Sequence, residues 1–240
     1  MLIIPAIDLL DGKCVRLHQG NYAEKTEYSN DPVSVGMEWK NQGGQFLHLV
    51  DLDGAKAGHP VNLEIAGKIA QATGIPSELG GGIRSLEHIE KALQAGISRV
   101  ILGTIAHRNP ALVKEAAKQY PGKVVVGIDC RNGMVAVQGW TETESVTALE
   151  LGNMMIEAGI NTFIFTDISR DGTLAGPNYA ALKEFATGIK ASVIASGGIS
   201  SIKDIEMLNQ LNCPNITGVI VGKALYDNCF TLREAIQSIQ

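Results

Sequence analysis

The sequence predicts a closed (β/α)8 barrel, an α/β fold in one domain over residues 1–240. Three observations carry that expectation. Short apolar runs alternate without a break with amphipathic helical stretches, which implies a parallel sheet with right-handed crossovers. Eight such units fit within 240 residues with no linker, a count and length that suit a barrel better than a doubly wound sheet. The third observation is a stretch written twice. Residues 78–100 read ELGGGIRSLEHIEKALQAGISRV, and residues 195–219 read ASGGISSIKDIEMLNQLNCPNITGV.

The repetition extends along the chain. Asp8 and Asp129 are 121 positions apart (129 − 8), and Gly103 and Gly222 are 119 apart (222 − 103). Asp51 and Asp167 differ by 116 (167 − 51), as do Gly82 and Gly198 (198 − 82). A near-constant offset of half the chain means that the second half repeats the first, four units on. The expected barrel is therefore two duplicated (β/α)4 halves, with equivalent positions facing each other across its mouth.

Taken in order, residues 2–7 are an apolar strand ended by a turn at Asp8. A long polar loop follows, in which 13–17 (KCVRL) and 25–28 (KTEY) can pair as a small hairpin. Asp31-Pro32 starts a helix that stops near Gly43-Gly44. The strand 46–50 ends at Asp51, and a polar loop runs through Pro60. Helix 61–73, strand 75–79, helix 85–95, strand 99–102 and helix 109–120 come next. Strand 123–128 ends at Asp129 and leads into a long loop, 130–144, carrying Gly139-Trp140. Helix 145–158 and strand 162–166, ended by Asp167, precede the loop SRDGTLAG and a helix opened by Pro177. Strands 192–195 and 219–221 and closing helices to Gln240 complete the chain.

Composition narrows the function. A formal net charge of −5 and the absence of a basic run exclude a nucleic-acid or anionic-membrane surface. No apolar stretch is long enough for a membrane span, and the start MLIIPAIDLLDGK lacks the basic region and cleavage site of a signal peptide. Cys14, Cys130, Cys213 and Cys229 lie far apart, with no metal-ligand spacing, and read as reduced thiols in a cytoplasmic protein. Cys130 reads as a small packing residue.

Each copy of the repeated stretch is a strand, a glycine turn, a helix, a strand and a second glycine turn. Glycines at such turns let backbone N–H groups approach an anion closely, and the helix N-terminus adds its partial positive charge. Gly81, Gly82, Gly103 and Thr104 therefore form one expected phosphate cradle. Gly197, Gly198, Gly222 and Lys223, with Gly176 from the preceding loop, form the other. Two facing cradles suggest a small ligand with a phosphate at each end.

The segments IIPAIDLLDGKCVRLHQGNY, HLVDLDGAKAG, GGGIRS, GIDCRNG with GW, and SRDGTLAGPN with SGGI carry a resemblance over nearly the whole chain. The sequence resembles the phosphoribosylformimino-aminoimidazole carboxamide ribotide isomerases of histidine biosynthesis. That resemblance implies a half-duplicated TIM barrel that catalyses an Amadori rearrangement, aminoaldose to aminoketose, on a bisphosphorylated substrate. It implies no metal and no organic cofactor, and the enzyme is expected to be a monomer with no nucleic-acid or membrane partner.

By the same resemblance Asp8 matches the general base and Asp129 the general acid. Two carboxylates flanking the sugar suit the chemistry, since one can be held neutral while the other is ionised. Thr166 and Asp167 are expected to tune the acid. Arg16, Gly20, His48, Asp51, Arg84 and Trp140 complete the substrate-orienting set. Trp140 is expected to close over the site, and His48 to point into the barrel as a satisfied core histidine. The rival readings are the sister imidazole glycerol phosphate cyclase, a dual-substrate isomerase that also takes phosphoribosylanthranilate, and a non-catalytic phosphosugar-binding barrel. PAIDLL, Gln19 before Gly20, and the loop with GW favour the isomerase over the cyclase.

Overall fold

The computed structural model describes residues 1–137, 140 and 142–239; Gly139 of the Gly139-Trp140 pair and the terminal Gln240 lie outside them. The elements, in chain order, begin with β1 (Leu2–Leu10), β2 (Lys13–His18), β3 (Asn21–Ser29), α1 (Pro32–Asn41), β4 (Leu47–Asp51) and α2 (Leu52–Ala57). Then come α3 (Leu63–Thr73), β5 (Ser77–Gly80), α4 (Leu86–Gln94), β6 (Arg99–Leu102), α5 (Thr104–Arg108) and α6 (Pro110–Gln119). The second half holds β7 (Val124–Arg131), β8 (Met134–Val137), β9 (Glu142–Thr147), α7 (Ala148–Glu157), β10 (Thr162–Asp167) and α8 (Tyr179–Gly188). It ends with β11 (Ser192–Ser196), α9 (Ile202–Asn209), β12 (Ile216–Val221), α10 (Lys223–Tyr226) and α11 (Leu232–Gln237).

Eight of these strands close a parallel barrel in the order β1, β4, β5, β6, β7, β10, β11, β12 and back to β1. Strand parity divides the apolar residues between two cores. Ile3, Ile7 and Leu9 of β1 face outward into the layer shared with the helices, where Ile69, Ile89, Val113, Met155, Phe185 and Ile205 pack. Ile4 and Ala6 face inward and meet Ile101, Val125, Ile164, Ile194 and Ile220. This inner plug fills the barrel below its mouth. Each fully buried aliphatic side chain in it contributes about 1.5–3 kcal/mol.

The helix starts follow local chemistry. Asp31 accepts hydrogen bonds from Val33 and Ser34 N–H ahead of Pro32, and Ser85 accepts from His88 N–H. Thr147 with Glu150, Ser201 with Asp204, and Thr231 with Glu234 form reciprocal capping boxes. Each cap satisfies amide groups that the helix itself leaves open, worth about 1 kcal/mol.

Several boundaries differ from the sequence reading, among them four that bear on the loops around the site. Strand β1 does not end at Asp8 but runs on to Leu10, pairing with β2, so Asp8 sits inside a strand opposite Val15 and Val50. Likewise β7 continues past Asp129 to Arg131, and the expected loop 130–144 is instead the hairpin β8–β9 rising from β7. The expected polar loop after Asp51 contains helix α2, capped by Asp51 itself. Pro177 lies just outside its helix, for Asn178 is the N-cap and accepts from Ala181 N–H. In the first two cases hydrogen-bond partners on neighbouring barrel strands extend order into stretches without a strong local pattern. The hairpin expected from 13–17 and 25–28 forms as β2–β3, with Arg16 opposite Thr26 and Leu17 opposite Lys25. Among the described residues, no helix is long and apolar enough to cross a membrane.

Candidate active site

The C-terminal ends of the barrel strands open into a cavity of about 250 Å³. Strand parity brings Asp8 from β1, His48 and Val50 from β4, Gly80 from β5, Gly127 and Asp129 from β7, and Thr166 from β10 to its walls. Small residues at Gly80 and Gly127 leave the space that the inner plug fills lower down. Strands β1 and β7 are four apart around the ring, so the two carboxylates rise from opposite walls.

Each aspartate is bonded by the hairpin that its own strand enters. Arg16, on β2, donates from Nη1 to Asp8 Oδ1 at 2.8 Å, and both residues are 8% exposed. Trp140, in the connection from β8 to β9, donates from Nε1 to Asp129 Oδ2 at 2.8 Å. Burial raises the Asp8 carboxyl above the ordinary aspartate value, with the Arg16 charge pulling the other way. Burial likewise raises Asp129, opposed by hydrogen bonds from Trp140 and Thr166. Thr166 pairs with Asp129 across the sheet. The hairpins meet above the cavity: a side chain at Gly20 would strike the Trp140 ring.

The first cradle lies in the wall of this cavity, where Gly81, Gly82, Gly103 and Thr104 are joined by Arg84. Gly81 and Gly82 have φ of +97° and +77°, and a Cβ at Gly81 would run into the Asp51 backbone oxygen. Arg84 reaches back to donate to Ala55 O at 3.1 Å. The second cradle lines an adjoining small cavity with Gly197, Gly198, Gly222 and Lys223, and Arg16 and Asp171 border both cavities. Gly222 lies directly beneath the Arg16 guanidinium. Gly176 is placed differently, lining neither cavity; its N–H donates to Gly198 O at 3.0 Å, so it braces the cradle.

Asp51 and Asp167 do not line the cavity. Asp51 is fully buried and accepts from the backbone of Gly54, Val61 and Asn62 and from the Asn62 amide. Asp167 accepts from Ser169 N–H and Oγ–H and from Asn178 Nδ2. Both residues thus fold the loops behind their strands. Cys130 packs in the outer core, where burial pushes its thiol well above the ordinary value.

The family model described as histidine biosynthesis protein matches residues 2–231. The chain belongs to the histidine biosynthesis protein family. Within it, the chain is 51% identical over 239 residues to a protein of Crocosphaera subtropica, covering 100% of this chain and 93% of that one. It is 53% identical over 236 residues to a protein of Geobacter sp. strain M21, covering 98% and 97%. A third relative, from Pelobacter propionicus, is 52% identical over 236 residues, covering 98% and 96%. All three are named 1-(5-phosphoribosyl)-5-((5-phosphoribosylamino)methylideneamino)imidazole-4-carboxamide isomerase.

Three cavity residues of this family member were not singled out in the sequence. Asp171 stands between the two cavities, its carboxyl raised by burial against the pull of Arg16, His48 and His18. Its only sequence signal is its place in SRDGTLAG, a loop beside a cradle. Tyr22 lines the first cavity and donates to Leu52 O at 2.9 Å. Ser196, at the end of β11, borders both cavities. Tyr22 and Ser196 carry no local pattern that separates them from surface residues.

Proposed function

We propose that the protein is the isomerase of its named relatives, converting a bisphosphorylated aminoaldose to the aminoketose by an Amadori rearrangement in histidine biosynthesis. The observation that carries this reading is two buried carboxylates on opposite walls of one cavity, set between two glycine cradles. A substrate with a phosphate in each cradle lays its ribose across Asp8 and Asp129. Backbone N–H groups at Gly82, Gly103 and Thr104 would hold one phosphate, and those at Gly198, Gly222 and Lys223 the other.

In this reading Asp129, whose pKa burial raises, gives its proton to the ring oxygen. The C1–O bond breaks and the nitrogen lone pair forms a protonated imine at C1. Asp8, held toward its ionised form by Arg16, then removes the proton on C2, and those electrons form the enaminol. Loss of the enaminol hydroxyl proton and protonation at C1 give the ketone at C2. No atom is gained or lost, so the step needs only groups that move protons. Asp171, between the cavities, is a further proton-holding group for the ring-opened intermediate. The protein is read as a monomeric cytoplasmic enzyme. The relatives' names favour this isomerase over the sister cyclase.

The test is turnover by purified protein. Substrate and product have equal mass, so ¹³C spectroscopy of substrate labelled at C2 is the readout. A ketone carbon should appear with enzyme present. No ketone signal, at protein concentrations where the fold is intact, would sink the reading.

A further inference from the structure

Below the cavity floor lies a charged group that the proposed mechanism leaves unused. Glu78, on β5, is fully buried inside the barrel. One carboxylate oxygen, Oε1, is 2.7 Å from His48 Nδ1. The other, Oε2, accepts from Arg99 Nε at 2.7 Å and Nη2 at 2.6 Å. Arg99 in turn lies 4.6 Å from the centre of the Phe46 ring. Neighbouring strands supply the three polar residues, His48 opposite Glu78 and Glu78 opposite Arg99 in register.

We propose that Glu78, balanced by Arg99, is a positioning residue that fixes the His48 tautomer so that Nε2 accepts a hydrogen bond from a ribose hydroxyl. An ionised carboxylate can only accept, so the short contact requires a hydrogen on His48 Nδ1. A ring holding one proton then carries its lone pair on Nε2. Arg99 holds the second carboxylate oxygen, so Glu78 presents Oε1 to the ring. His48 lines the cavity, and its Nε2 has no hydrogen-bond partner among the described residues. The titratable groups facing the ring are Asp8, Asp129 and Asp171 on the cavity side and Glu78 below. A sugar hydroxyl can donate as well as accept, so an acceptor nitrogen at the cavity wall can take its hydrogen. This inference rests on the isomerase reading, because the hydroxyl belongs to the ribose held between the cradles.

The test is ¹⁵N spectroscopy of the His48 ring together with kinetics. Wild type should show the Nδ1–H tautomer without substrate. In Glu78→Gln the amide oxygen turns to Arg99 and the amide N–H₂ to His48, so the ring should change to Nε2–H. Loss of such an orienting partner typically costs about 10–100-fold in function, and kcat/KM should fall by about 10-fold or more. The same substitution should have little effect in a His48→Ala background. Should Glu78→Gln not fold, with the Arg99 charge left uncompensated, Glu78→Leu with Arg99→Met removes both charges. That pair should lose the Nδ1–H preference and the same share of kcat/KM. An Nε2–H ring in wild type, or an equal loss in the His48→Ala background, would overturn the proposal. Absence of wild-type turnover would strike the isomerase reading and leave the tautomer result standing.

Discussion

Trp140 Nε1 lies 2.8 Å from Asp129 Oδ2, so the residue expected to cover the site also holds its proposed acid. A donor to an ionised carboxylate favours the charged form and lowers the pKa. Trp140→Phe keeps a ring over the cavity but removes the donor. The Asp129 pKa should rise, and the high-pH limb of kcat, where the acid loses its proton, should move to higher pH. Trp140→Ala should lower turnover and substrate affinity while the melting temperature barely changes. Thermal unfolding and a pH–rate series check both; a large fall in melting temperature would mark Trp140 as core.

Asp8→Asn and Asp129→Asn keep size and hydrogen bonding but cannot cycle a proton. Each should lower kcat by at least about 10²-fold with substrate binding largely kept. Exchange of the C2 proton with solvent should stop in Asp8→Asn, whereas Asp129→Asn should mainly block ring opening. Exchange in deuterated buffer separates the two, and near-normal turnover in both would end the acid–base assignment.

The cradles can be probed by one methyl group. A Cβ at Gly103 meets nothing within 4 Å, so Gly103→Ala fills the space proposed for a phosphate without touching the protein. KM should rise about 10-fold or more with stability unchanged. At Gly222 the same Cβ would collide with the Arg16 guanidinium. Gly222→Ala should therefore lower kcat as well, by moving the partner of Asp8. Unchanged KM in both variants would argue against phosphates at these turns.

Asp129 also predicts a stability profile. Its folded pKa lies above the ordinary 3.8, so between those values the folded chain holds a proton that the unfolded chain has released. Stability falls as pH rises through that window, because the buried carboxyl must ionise. Asp129→Asn should consequently melt higher than wild type at pH 7, and the difference should shrink as pH falls below 3.8. Asp8→Asn should show no matching gain, since it leaves the buried Arg16 charge without its partner. Calorimetry of both variants across this range is the check.

Much of the fold is legible in the residues because its signals are local. Alternating periods mark the eight strand–helix units, and Asp31-Pro32 and Ser85 mark helix starts by side-chain chemistry within three or four positions. The half-chain offset also places Asp8 opposite Asp129, because a closed ring of equivalent units converts sequence spacing into angle. What the sequence alone could not determine depends on partners far along the chain. The hairpin β8–β9 is ordered by pairing with β7, not by its own composition. Asp51 and Asp167 stand at strand ends as catalytic residues do, yet their carboxylates turn onto loops 10 and 11 positions away. Asp171 becomes a cavity residue only when its loop folds against Arg16. Glu78 reads as one charge in an apolar strand until barrel closure sets it between His48 and Arg99, 30 and 21 positions away. Local patterns encode period and capping; a buried charge takes its role from whichever strands the closed barrel makes its neighbours.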